Sequence, residues 1–240
     1  MSSLVQSFYD DFASQQLQTG VNLRHKRIMG WLLKFGLHDR MRVLEIGCGV
    51  GTQTSLLSQA LLRGRLVAND ISPISVEHAR ARLAHEGNVE FIIGDIVQMN
   101  VGGEFDMIVL PDVLEHIPLA DHGPLFHKLR ELIKEDGQIV IHIPSAQYLD
   151  WVIEHHPERL QVIDQPLHLN VMLPHITAAG LYLHIAEHYG LWTDGPDAAV
   201  LVLRPYKNDL AFNLTPPPVG LFGRWRRRFA RFRHGDNGVQ

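Results

Sequence analysis

The sequence predicts an α/β domain whose mainly parallel sheet is covered by helices on both faces. Three observations carry this prediction. From residue 42 onward, short β-rich segments alternate with helical segments of about ten residues. A glycine turn, Gly47-Cys48-Gly49-Val50-Gly51, joins the first strand to the next helix, and Asp70 and Asp95 fall at the ends of the following two strands. Strands separated by helices of that length need crossover connections and therefore run parallel.

The elements follow in order. Leu4, Phe8 and Phe12 recur at spacing four and predict an N-terminal helix; Asn22 to Phe35 predicts a second, with Gly36 at its end. Arg42–Ile46 is the first strand and Thr52–Leu62 a helix. Arg65–Asp70 is the second strand, and Ser72-Pro73 opens a helix through Ala84. Val89–Ile93 and Phe105–Leu110 are the third and fourth strands. A helix over His122–Lys134 closes at Asp136-Gly137, before a fifth strand at Gln138–Ile143. Ala146–His155 and Leu169–Ala179 read as helices, and Leu181–Tyr189 with Ala198–Leu203 as an antiparallel edge hairpin.

Composition sets the bounds. The 240 residues are 45% hydrophobic and 20% charged, a globular balance that argues against disorder or a fibrous repeat. The single cysteine excludes a disulfide framework and a Cys-rich zinc module. No apolar run spans a membrane and no secretory signal opens the chain, so a cytoplasmic location is expected. The net charge of −4 hides an asymmetry, since the tail from Pro216 onward is +5 and the preceding 215 residues are −9.

Glycines after a strand let a ligand approach the main chain, and the following helix N-terminus favours an anionic group. A tight turn with no ligand is the plain alternative. Asp70 lies 19 residues after Gly51, where an acid takes the hydroxyls of a ribose. The G-x-G-x-G spacing, with Glu45 two residues ahead, departs from the G-x-G-x-x-G of dinucleotide-binding proteins.

These residues resemble class I S-adenosylmethionine-dependent methyltransferases over about residues 40 to 145. Glu45, Gly47, Cys48, Gly49 and Gly51 match the motif that holds the methionine portion. Asp70 matches the ribose acid and Ile71 the residue that packs on adenine. Gly94, Asp95 and Ile96 match the adenine-contacting motif. The strand from Phe105, followed by Pro111-Asp112-Val113-Leu114-Glu115-His116, matches the motif beside the transferring methyl. The resemblance implies S-adenosyl-L-methionine as cofactor. It implies a three-layer Rossmann-like fold, with a mainly parallel seven-stranded sheet, an antiparallel edge strand and N-terminal helices. The chain is then expected to divide into an N-terminal helical lid over 1–40, a core over 41–205 with the acceptor pocket at about 144–180, and, from its own composition, a proline linker with a basic tail over 206–240. Tyr9 is then either a lid residue or an aromatic packing a terminal helix.

Methyl transfer from a sulfonium needs a positioned nucleophile, and a hydroxyl acceptor also needs a base or a metal. Asp112, Glu115 and His116 share one face if their turn is helical. His116 is the expected general base, oriented by Glu115 or Asp112; alternatively these residues cap the turn. The same stretch is similar to the metal-binding Glu-x-x-Glu-His of some O-methyltransferases, with Asp112 in first place. A divalent metal such as Mn²⁺, Fe²⁺ or Zn²⁺ would then take His168 or His175 as a distant ligand. His142 either faces the acceptor or is packed, and Cys48 reads as a turn residue rather than a nucleophile.

Phe222, Trp225, Phe229 and Phe232 would align on a helix whose other face is arginine, within residues 221–233. That pattern suits an anionic membrane surface, with docking on the body, disorder or nucleic acid as alternatives. The acidic body makes nucleic acid the weaker partner. The expected reaction is O-methylation of a sugar hydroxyl in surface-polysaccharide biosynthesis, on a lipid-linked glycan at the inner face of the membrane. A soluble natural-product or quinone-type small molecule is the second acceptor. A cofactor-binding regulatory protein without turnover and a nicotinamide-dependent oxidoreductase are the competing classes.

Overall fold

The computed structural model describes residues 19–207; Tyr9, the first expected helix and the basic tail at 221–233 lie outside them. Seven strands form one sheet: β1 (Arg42–Ile46), β2 (Arg65–Asp70), β3 (Val89–Ile93), β4 (Phe105–Pro111), β5 (Ile133–Pro144), β6 (Leu181–Tyr189) and β7 (Ala198–Pro205). Their order is β3-β2-β1-β4-β5-β7-β6. The first five run parallel, and β7 pairs antiparallel with both β5 and β6. The reversed strand is therefore β7, one position in from the edge, with β6 outermost.

Alternation along the strands makes two cores. Val43, Met107, Val109, Val140 and Val200 face one side, against Ile28 and Leu32 of α1 (Leu23–Lys34) and Leu57 and Leu61 of α2 (Thr52–Ala60). Val76 of α3 (Pro73–Arg82) packs with Ala68 and Cys48. Leu44, Ile108, Ile139, Ile141 and Leu201 face the other side, against Phe126 and Leu129 of α4 (Leu119–Leu132) and Met172 and Ile176 of α6 (Leu169–Ala178). Helix α5 (Ala146–His155) follows β5 directly. No helix among the described residues is long and apolar enough to cross a membrane.

Local chemistry fixes the ends. Asn22 caps α1 and exchanges bonds with His25 in a capping box. Ser72 caps α3 by accepting from the Ser75 amide at 3.1 Å, with Pro73 in the first turn. The largest departure from the sequence reading is at α4 and β5. The helix ends at Leu132 rather than Lys134, and the strand starts at Ile133 rather than Gln138. Ile133 is buried and pairs with Phe105, ahead of a register break before Met107. Asp136-Gly137 thus sits inside an irregular strand, which helical periodicity alone does not reveal.

Candidate active site

A cavity of about 680 Å³ opens at the C-terminal ends of β1 to β5. Open parallel sheets bind ligands there because loops diverge to either side of the strand ends. The glycine turn forms its floor. Gly47 has φ +76°, and a Cβ there would lie 2.3 Å from Val113 Cγ2. Gly51, at φ +80°, precedes α2 and would place a Cβ 2.9 Å from Ala79. Both positions therefore require glycine on conformational and steric grounds.

One wall gathers the first three strand ends. The amides of Gly47 and Cys48 both donate to the Asn69 carbonyl, at 2.8 and 2.9 Å. The Asp70 carboxylate accepts from the Gly49 amide at 2.7 Å and the Ser72 amide at 2.9 Å. The Gly94 amide donates to the Asp70 carbonyl at 2.9 Å, and Asp95 accepts from the Val97 amide at 3.0 Å. Gln53 also lines the cavity, and its buried Oε1 has no hydrogen-bond partner among the described residues. An acid at the end of β2, a second at β3, a glycine floor and an unsatisfied amide oxygen fit S-adenosylmethionine.

Glu45 lies behind that wall. It is fully buried, and neither carboxylate oxygen makes a hydrogen bond among the described residues. Burial pushes its carboxyl up to about 8, and the charge of Asp70 adds to the shift. Burial, then Asp70 and Glu45, also push the Cys48 thiol up, so it is an inert turn residue.

The opposite corner holds the motif after β4. Asp112 has φ +55°, uncommon for a residue with a Cβ. Its carboxylate meets Arg24 Nη1 at 2.8 Å and His142 Nδ1 at 2.5 Å. The other imidazole nitrogen of His142 meets the Tyr189 hydroxyl at 2.6 Å. Burial would raise the Asp112 carboxyl, but His142 and then Arg24 outweigh it and hold the group below its ordinary value. Glu115 is buried with Oε2 unpartnered among the described residues. Burial pushes it up to about 8, against the opposing charge of His116.

His116 Nδ1 lies 2.6 Å from the Ile163 carbonyl and 3.0 Å from Asp164 Oδ1. Burial alone would lower its pKa; the Asp164 hydrogen bond, Glu115 and the Ile163 carbonyl outweigh that and raise it to about 9. An imidazole so placed carries its proton at neutral pH and is suited to stabilise negative charge rather than to accept a proton.

Of the residues expected from sequence, Gly47, Cys48, Gly49, Asp70, Ile71, Gly94, Asp95, Ile96, Pro111, Asp112, Glu115 and His116 line the cavity. Glu45 and Gly51 support it from behind. The turn after Asp112 is a short 3-10 segment, Leu114–His116, so the three expected site residues there do not share an α-helical face. His168 is elsewhere: it is exposed, pairs with Asp150 at 2.9 Å and borders a separate, smaller cavity. His175 instead packs edge-on against His122.

Among the described residues no three His, Cys, Asp or Glu side chains gather to hold a metal. Where a cation would meet Asp112, Arg24 and His142 already stand. This donor set does not fit a divalent ion.

Sequence reasoning missed Arg24, Tyr148, Arg159, Asp164, Trp192 and Asp197, all of which line the cavity. Arg24 sits on α1 within an ordinary amphipathic pattern, and the others on segments without a motif; only the folded geometry brings them to the cavity.

The fold, the glycine floor and the acids at the strand ends define a class I, Rossmann-like methyltransferase domain. Residues 43–137 match the family described as "Methyltransferase domain", and the chain carries a domain of that S-adenosylmethionine-dependent family. It is 33% identical over 177 residues to malonyl-[acyl-carrier protein] O-methyltransferase of Anoxybacillus flavithermus, covering 69% of this chain and 60% of that protein. It is 28% identical over 145 residues to trans-aconitate 2-methyltransferase of Escherichia coli, covering 60% of this chain and 52% of that protein. The chain thus spans little more than half the length of these relatives. Among solved structures, an S-adenosylmethionine-dependent methyltransferase from Clostridium acetobutylicum superposes with a TM-score of 0.64 at 14% identity, covering 83% of this chain and 99% of that one. Magnesium protoporphyrin IX methyltransferase from Synechocystis, with bound SAH, gives 0.60 at 20% identity, covering 75% and 80%.

Proposed function

We propose that this chain transfers a methyl group from S-adenosylmethionine to a carboxylate oxygen of a small-molecule acceptor. The observation that carries this reading is the clamp on His116. A hydroxyl must lose its proton during transfer, and the imidazole at the corner is already protonated. A carboxylate enters as its own anion, needs no base, and is attracted by the imidazolium. Malonyl groups and trans-aconitate, named for the two relatives, are carboxylic acids, which supports the same choice.

When bound, the cofactor supplies a methyl group already activated on a sulfonium. The chain's residues then bind and orient. Gly47 and Gly49 leave room along the main chain, while Asp70 and Asp95 supply acceptors for the nucleoside hydroxyls and base. Asp112, fixed by Arg24 and His142, holds the loop that carries Glu115 and His116. His116 draws the acceptor anion to the corner, and the cavity walls exclude water.

A sugar hydroxyl, the acceptor expected from sequence, is the contrary outcome of the test. Labelled methyl from S-adenosylmethionine is transferred into an extract and the product treated with mild alkali. Release of labelled methanol marks a carboxyl ester and supports the reading. Alkali-stable label, whether on a former hydroxyl, a nitrogen or a carbon, overturns it.

A further inference from the structure

The acceptor half of the cavity differs in character from the cofactor half. Its wall is largely apolar: Tyr148, Leu149 and Val152 from α5, then Leu160, Leu191 and Trp192. Trp192 is 59% exposed, yet its backbone is fixed. The buried Asp197 carboxylate accepts from the Leu191 amide at 2.6 Å and the Trp192 amide at 2.8 Å. The Ser145 amide donates to the Asp197 carbonyl at 2.9 Å, and the Ser145 hydroxyl to the Pro196 carbonyl at 2.5 Å. The loop that presents Trp192 is therefore tied to the start of the helix that presents Tyr148.

Among the exposed large apolar side chains of the described residues, Trp192 is the one that lines the cavity, so its indole is presented to whatever binds there. Among the described residues Trp192 makes no ring contact, whereas Tyr148 is backed by Trp151 at 6.3 Å. One positive group stands on this side without a salt bridge among the described residues. It is the exposed Arg159, whose charged neighbour is the adjacent Glu158. The acids here are engaged, Asp164 with His116 and Asp197 with backbone amides.

We infer that the acceptor is an aromatic acid, whose flat ring stacks on Trp192 and whose anionic group is drawn in by Arg159 as well as by His116. This rests on the methyltransferase reading for the reaction but not for the binding measurement. Planar rings gain from stacking beyond the area they bury, and a few placed polar groups orient a ligand in an otherwise apolar pocket. A saturated ring of the same charge covers the indole less well, and a neutral aromatic amide loses the attraction to the guanidinium.

The test is tryptophan fluorescence of the full chain with S-adenosylhomocysteine present, titrated with benzoate, cyclohexanecarboxylate and benzamide. Benzoate is expected to quench the signal and bind most tightly. Trp192→Ala is expected to weaken benzoate about fivefold, with Trp192→Phe restoring most of the loss. Arg159→Gln is expected to weaken benzoate several-fold while leaving benzamide unchanged, the remaining preference for the anion resting on His116. Equal binding of benzoate and cyclohexanecarboxylate overturns the inference, as does unchanged benzoate binding, read by calorimetry, in Trp192→Ala that keeps its melting temperature. The methyltransferase reading fails separately, if S-adenosylhomocysteine does not bind.

Discussion

Asp112 Oδ1 lies 2.5 Å from His142 Nδ1, joining the end of β4 to β5 through side chains as well as through the sheet. The Asp112 amide also donates to the His142 carbonyl at 2.8 Å. Two bonds between one pair, with Arg24 on the other carboxylate oxygen, hold Asp112 at φ +55°. Such a conformation costs about 1 kcal/mol or more and persists where its surroundings over-determine it.

Asp112→Asn keeps a side chain that tolerates positive φ but removes the charge facing Arg24 and His142. It is expected to lower stability by about 1–2 kcal/mol in urea denaturation. Asp112→Ala should lose roughly a further 1 kcal/mol, because alanine tolerates that φ less well. Equal stabilities for the two variants would show that the backbone there stores no strain.

The clamp on His116 sets the alkaline limit of the reaction. Since the imidazolium draws in the acceptor, kcat/KM is expected to fall as pH rises through about 9. Asp164→Asn removes the hydrogen bond that favours the proton, so the fall should begin at lower pH. A profile that instead rises through the same pH would make His116 a base.

Gly47→Ala brings a methyl group against Val113 Cγ2 and strains a φ of +76°. Loss of cofactor binding and destabilisation of about 2–3 kcal/mol are expected by calorimetry and thermal melts. Adding Val113→Ala should recover only the steric part. Full recovery would place the requirement for glycine in packing alone.

Stability should decline from mildly acidic to alkaline pH. Glu45 and Glu115, raised to about 8 in the folded protein, hold protons there that the unfolded chain releases near 4.5. Between those values the folded state binds more protons, so rising pH favours unfolding. His116 adds a loss between 6.5 and about 9. His25 acts oppositely: burial, then Arg24, lower it to about 4, so its contribution is lost as pH falls from 6.5. Melting temperature against pH should therefore peak on the acidic side of neutrality, and Glu45→Gln should flatten the decline up to pH 8. A melting temperature that climbs from pH 5 to 8 would mean both carboxyls are ionised when folded.

A chelator is expected to leave methyl transfer unchanged, because Arg24 and His142 stand where a divalent ion would meet Asp112. Loss of activity restored by Mn²⁺ or Zn²⁺ would contradict that.

The cofactor side was legible because its chemistry is local. A turn that needs glycine and acids that end strands are written in consecutive residues, and Gly47, Asp70 and Asp95 reach one cavity for that reason. The acceptor side is assembled from residues far apart in the chain. Asp164 meets His116 across 48 positions, and Trp192 depends on Asp197 and Ser145; neither relation leaves a periodic trace. The condition for Asp112, Glu115 and His116 to share one helical face is not met, because a 3-10 segment follows a left-handed residue there. The start of β5 was hidden because Asp136-Gly137 reads as a stop, while burial of Ile133 against β4 draws the chain into the sheet.

The position of β7 has a consequence for how the molecule is made. It is the last strand in chain order among the described residues, yet it lies between β5 and β6. A ribosome that has released everything up to Tyr189 has delivered β6 without the strand it pairs with. Until residues 198–205 are in place, the edge of β5 that pairs with them offers unpaired backbone groups to other chains. A chain that lacks residues 198–205 therefore presents an unpaired β5 edge, an aggregation hazard.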